Sequence, residues 1–87
     1  MTHTEQSVDW EKVEEMTLAL LQLTTFDAGL DGVRAWKGHS FEVMDRLHNR
    51  GWIANPKGHA KSVALTAEGE RKSREFFERH FVGPPVL

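Results

Sequence analysis

Trp10, Val13, Thr17, Leu20 and Leu21 recur at helical spacing, while Glu11, Lys12, Glu14 and Glu15 fall on the opposite face. The pattern predicts a helix over residues 8–23, capped by Ser7 or Asp9, with acids in its first turns where they complement the helix dipole. Its second half, 18–23, is apolar on most sides and is expected to be surrounded by the rest of the domain. Residues 24–32 hold Asp27, Gly29, Asp31 and Gly32 and read as a loop with room for one short helical turn. Val33–Trp36 reads as a short strand. Ser40 then caps a helix over 41–50 that turns Phe41, Met44 and Leu47 inward, presents Glu42, Asp45, Arg46, Asn49 and Arg50 outward, and stops at Gly51.

Beyond Gly51 the period changes. Trp52, Ile53 and Ala54, the turn signal Asn55-Pro56-Lys57-Gly58, and the stretch 62–65 predict a β-hairpin over 52–65 with its tip at 55–61. Thr66 caps a last helix, Ala67–Phe81, with Phe76, Phe77 and Phe81 apolar and Glu68–Lys72, Glu70–Arg74 and Glu75–Arg79 spaced as ion pairs. Gly69 in its first turn costs up to about 1 kcal/mol relative to alanine, so a close neighbour is expected there. Leu47, Ile53, Val63, Leu65 and Phe76 should share one core. The chain thus reads as a small α+β domain over 8–81, with a polar N-terminal segment (1–7) and an apolar tail (82–87).

Length and charge sharpen this picture. Eighty-seven residues allow one domain, whose small core would gain from a partner copy. The absence of cysteine removes disulfides, thiolate metal sites and cysteine nucleophiles together. No apolar run approaches the length that spans a bilayer and no cleavable leader precedes the first acids, so a cytoplasmic location without membrane association is expected. The net charge of −2 conceals an uneven layout: residues 1–33 carry −6, residues 34–62 carry +4, and the remainder balances. A basic middle on an acidic chain suggests an anionic partner or a self-complementary interface, and with the apolar tail it predicts a homodimer.

Catalytic motifs are missing: there is no phosphate-binding glycine loop, no nucleophile elbow and no His-Glu-x-x-His. No two of the five histidines are placed to share a metal on one helical face, and Asp27 with Asp31 lacks the further ligands of a calcium loop. The expectation is a non-enzyme without metal or cofactor. His39, His48 and His59 would add positive charge to the basic region at lower pH. Trp10, Trp36 and Trp52 read as core or half-buried residues, with Trp36, beside Lys37, the one suited to an interface.

The run Leu47-His48-Asn49-Arg50-Gly51-Trp52-Ile53 with Ser62-Val63-Ala64-Leu65-Thr66-Ala67-Glu68-Gly69 resembles segments of bacterial winged-helix regulators of the MarR and PadR kinds. The resemblance covers residues 40–81 and departs from the pattern at 24–39, where no periodicity supports the helix that precedes a recognition helix. More narrowly, Arg34-Ala35-Trp36-Lys37-Gly38, the run from Val43 to His48 and Ala60-Lys61-Ser62-Val63 resemble a family of short bacterial proteins known only as a domain of unknown function. The winged-helix likeness implies a DNA-binding transcriptional regulator. Arg46, Asn49 and Arg50 would read base edges of double-stranded DNA, and Lys57, His59 and Lys61 would contact phosphates from the wing. Glu42 and Asp45 on the same helix oppose that role. The rival expectation assigns the same residues to a docking or dimerisation module that binds protein without DNA.

Overall fold

A computed structural model describes residues 7–58 and 60–83. Helix α1 (Trp10–Leu21) starts at Asp9, whose Oδ1 accepts the Lys12 amide at 3.0 Å, and ends in a 3-10 turn, Gln22–Thr24. Three short strands follow the chain as β1 (Thr25–Asp27), β2 (Val33–Trp36) and, later, β3 (Ser62–Ala64). Helix α2 (Phe41–Asn49) separates β2 from β3, and α3 (Ala67–Phe81) closes the domain. The sheet is antiparallel in the order β1-β2-β3, with Phe26 opposite Arg34 and Ala35 opposite Val63. The result is a mixed α+β domain, compatible with a small winged-helix-like arrangement.

The segment read as a loop with one short helical turn at 24–32 contains that turn, at Gly29–Asp31, but it connects the arms of a hairpin whose first strand, β1, was not expected. Asp27 Oδ1 accepts the Gly29 amide at 2.9 Å, the Ala28 amide donates to the Gly32 carbonyl at 2.7 Å, and Gly29 and Gly32 supply positive φ values of 68° and 74°. Turn chemistry dominates the local composition and hides the three-residue strand beside it. This hairpin occupies the place where the winged-helix order has a helix, so α2 has no helix-turn-helix partner among the described residues.

The hairpin expected at 52–65 is reduced. Its arms meet at one bridge, Ile53 with Leu65, flanked by Ala54 N–H donating to Ala64 O at 2.9 Å and Thr66 N–H to Trp52 O at 3.0 Å. Along the other edge of β3 runs β2, which takes the regular ladder. The turn into this region is set by Gly51, at φ 81°: Trp52 N–H donates to Leu47 O and Gly51 N–H to His48 O, the paired bonds of a Schellman stop.

The core joins α1, α2 and α3 to the inner sheet face through Leu18, Leu21, Ala35, Val43, Met44, Leu47, Trp52, Ile53, Val63, Leu65 and Phe76. All five residues expected to share a core are in it. Gly69 lies against the Trp52 carbonyl, which explains a glycine inside a helix. Three assignments differ from the sequence reading. Phe41, expected inward, is 85% exposed at the first position of α2, while Val43 takes the inward place. Leu20 and Leu23 are exposed, although Leu18, Ala19 and Leu21 are enclosed. Glu14, placed on the solvent face of α1, is buried. Of the three ion pairs expected along α3, Glu70–Arg74 and Glu75–Arg79 form at 3.2 and 2.7 Å, whereas Glu68 meets Arg71 and Lys72 meets Glu75.

Candidate binding surfaces

The outward face of α2 is the first candidate, because it holds Arg46, Asn49 and Arg50. The fold turns two of them toward α1. Arg50 Nε donates to Glu14 Oε1 at 2.7 Å and Arg46 reaches Glu14 Oε2 at 3.4 Å, with Arg46 also 3.3 Å from Glu42 Oε2. The Glu14 side chain is only 5% exposed, so its charge is tolerable only with partners, and the two guanidinium groups are those partners. The Arg46 guanidinium also lies 4.1 Å from the Trp10 ring centroid and that of Arg50 5.5 Å from Trp52. Two bases expected to face a groove therefore clamp α2 to α1, and Asn49 alone of the three stands exposed without such an engagement. The acidic start of the chain meets the basic middle at Glu14, which takes Arg46 and Arg50, and meets the last helix at Glu15, which lies 3.4 Å from Arg79 and 3.1 Å from His80.

The second candidate is the tip at 55–61. Lys57 and Lys61 are exposed, Lys57 N–H donates to Asn55 Oδ1 at 3.0 Å, and His59 lies outside the described residues. The tip is tied to the end of β2. Lys37 N–H donates to the Lys61 carbonyl at 2.9 Å and the Lys37 ammonium donates to the carbonyl of the buried Pro56. These bonds bring Lys61 to Lys37, and with it Pro56, which precedes Lys57.

A third surface, only partly visible in the sequence, is the outer face of the sheet. Side chains alternate across strands, so Ala35 and Val63 face the core while Phe26, Arg34 and Trp36 face outward. Phe26 and Trp36 lie 5.3 Å apart between ring centroids, and Trp36 is 53% exposed. Arg34 is held along the sheet by bonds from its Nε to Ser62 Oγ and from a terminal nitrogen to Ser62 O, both 2.8 Å. A groove of about 480 Å³ is lined by Trp36 and Phe41, by Gly58 and Ala60, and by Lys37 and Lys61. Trp36, read with Trp10 and Trp52 as core or half-buried, is instead exposed, and its position beside Lys37 was the sequence signal for a surface role. Phe26 and Phe41 carried no such signal, because one sits in a strand hidden by turn residues and the other fits a helical apolar stripe.

Among the described residues, no group of three or more histidine, aspartate or glutamate side chains is placed to hold a metal, and no helix is long and apolar enough to cross a membrane. His48 Nδ1 lies 3.1 Å from the Ile53 carbonyl, so this imidazole joins the end of α2 to the following segment.

The family described as a domain of unknown function (DUF6429) matches residues 9–83. The uncharacterized protein y4hR of Sinorhizobium fredii is 43% identical over 74 residues, which span 85% of this chain and 95% of that protein. No solved structure matches the chain significantly.

Proposed function

The chain belongs to the DUF6429 family, and we propose that it is a non-catalytic docking module that binds a protein partner through the outer face of its sheet. The observation that carries this reading is a contrast between two surfaces. Arg46 and Arg50 are engaged by the buried Glu14 carboxylate, whereas Trp36 and Phe41 stand 53% and 85% exposed beside an apolar groove. Large aromatic side chains grouped on one face mark interaction sites, and aromatic anchors dominate interface energies. The groove offers apolar surface and ammonium groups, not a base paired with a nucleophile, and so supports binding in preference to catalysis.

The second reading is a winged-helix regulator of double-stranded DNA. It is favoured by the exposure of Lys57, Lys61 and Asn49 and by the order α2, bridged arms, α3. It is weakened by the missing helix before α2 and by the engagement of Arg46 and Arg50. A homodimer is a third use of the sheet face, with part of its charge motive met inside one chain, where Glu14 takes Arg46 and Arg50.

Photocrosslinking in intact bacterial cells tests these readings together. A benzophenone side chain at position 41 should give a discrete protein adduct, and the same group at position 49 should give none. Adducts to DNA from position 49, with none from position 41, would replace the docking module with the regulator. A gel shift on mixed-sequence duplex DNA should show only weak binding at physiological salt, in the range about 10⁻⁴ to 10⁻⁶ M typical of nonspecific contacts.

A further inference from the structure

We infer that the groove between Trp36 and Phe41 takes an acidic peptide segment carrying one large apolar anchor residue, contributed by a protein other than this one. The inference rests on the docking reading and adds the chemistry of the partner. The groove is lined by two exposed aromatic residues together with Gly58 and Ala60, and its volume of about 480 Å³ accommodates a leucine or phenylalanine side chain. Its charged lining is cationic. Among the described residues, neither Lys37 nor Lys61 has a carboxylate within 4 Å, while Arg71, Lys72, Arg74 and Arg79 on α3 all have one. The groove lining contains no acid. The two lysines are also positioned: the backbone bond from Lys37 to Lys61 and the bond from the Lys37 ammonium to Pro56 hold them at one groove. Ammonium groups lining an apolar slot favour a segment that pairs carboxylates with an apolar side chain, the lysine charges setting orientation and encounter rate and the anchor supplying most of the affinity.

A second copy of this chain fits less well. Glu14, Glu15, Glu42, Glu68, Glu70 and Glu75 already have basic partners. Among the described residues, the exposed or half-exposed acids without one, Asp9, Glu11, Asp27, Asp45 and Glu78, are spread over the start of α1, the end of β1, α2 and α3. A single-stranded nucleic acid would use the aromatic rings for stacking, but it also needs a track of cations along its phosphates. Here Lys37 and Lys61 gather at one groove, with the Lys37 ammonium held by the Pro56 carbonyl and the Arg34 guanidinium by Ser62.

The test is selection of a random peptide library displayed on phage against the immobilised full chain, followed by anisotropy titrations of the enriched peptides as labelled synthetic molecules. The expected result is enrichment of sequences with acids flanking an aromatic or aliphatic residue. Their affinity should fall at least about tenfold in Trp36→Ser with Phe41→Ser, and by about tenfold in Lys37→Glu with Lys61→Glu. The wild-type interaction should weaken as salt rises. Both aromatic positions are exposed, and far-ultraviolet circular dichroism with thermal midpoints establishes that each variant is folded. Enriched peptides that depend on Trp36 and Phe41 but carry no acids would refute the acidic chemistry and leave the docking reading standing. An absence of enrichment would refute both. Tighter binding of a labelled single-stranded RNA pool through Trp36, or self-association in sedimentation abolished by Trp36→Ser, would overturn the inference in favour of those occupants.

Discussion

Replacing Gly69 with alanine sets two physical effects against each other, and the structure decides the sign. Helix propensity alone predicts stabilisation, since alanine is better than glycine inside a helix by about 1 kcal/mol. The position, however, lies in the first turn of α3 against the backbone of the segment that follows α2. A Cβ there would fall 1.7 Å from the Trp52 carbonyl oxygen and 2.6 Å from its carbon. Reaching an ordinary carbon–oxygen contact of about 3.3 Å requires a separation of roughly 1.6 Å between two backbones. The same carbonyl accepts the Thr66 amide at 3.0 Å, and Thr66 Oγ1 donates to Gly51 O at 2.6 Å, so the shift breaks the joint between α3 and this segment. Two hydrogen bonds at about 1 kcal/mol each, with another 1–3 kcal/mol for disturbed packing of Trp52 and Ile53, outweigh the propensity gain. The expected net loss is about 2–4 kcal/mol, which lowers Tm by roughly 10–25 °C in a domain of this size. Thermal unfolding followed by circular dichroism measures it. Gly38→Ala is the control: no atom crowds that position and its φ is not left-handed, so stability should change by no more than about 0.5 kcal/mol. A Gly69→Ala protein as stable as the wild type, or more stable, would refute the close approach of α3 to Trp52.

Glu14→Gln should destabilise by about 1–2 kcal/mol in urea titrations, less than a fully buried pair would lose, because Arg46 and Arg50 are 34% and 42% exposed and can rehydrate. Leu47→Ala, at a fully buried position, should cost about 2–5 kcal/mol, and an unchanged midpoint would remove Leu47 from the core. Ser73→Ala should cost about 1 kcal/mol in the same titration, since Ser73 Oγ donates to Gln22 Oε1 at 2.8 Å in the seam between the end of α1 and α3. Phe41→Ser should leave stability within about 0.5 kcal/mol, because the ring is exposed, so any loss of partner binding in that variant reports on the surface and not on the fold.

The features that local chemistry specifies were readable from the chain alone. Ser40 and Thr66 cap their helices through bonds to Val43 N–H and Gly69 N–H, Gly51 stops α2, and the spacing of Leu47, Ile53, Val63, Leu65 and Phe76 marks a shared core. Each depends on residues within a few positions of one another or on an apolar period, and neither requires knowledge of distant neighbours. The tertiary structure decided whatever depends on partners far apart in sequence. Glu14 looks like a solvent-facing acid until Arg46 and Arg50, 32 and 36 residues away, are brought to it. Phe41 follows the apolar stripe of its helix, yet the core is already filled by Val43 and Met44, and the ring is left outside. β1 exists because β2 supplies its hydrogen-bonding partners across a turn whose glycines and aspartates favour loop geometry by themselves. For the candidate site the division is the same. Basic residues at 34–62 were visible as a group, but only long-range pairing separates those engaged by an internal carboxylate from the lysines that line an aromatic groove, because the energy of a charge depends on what the fold places within a few ångströms of it.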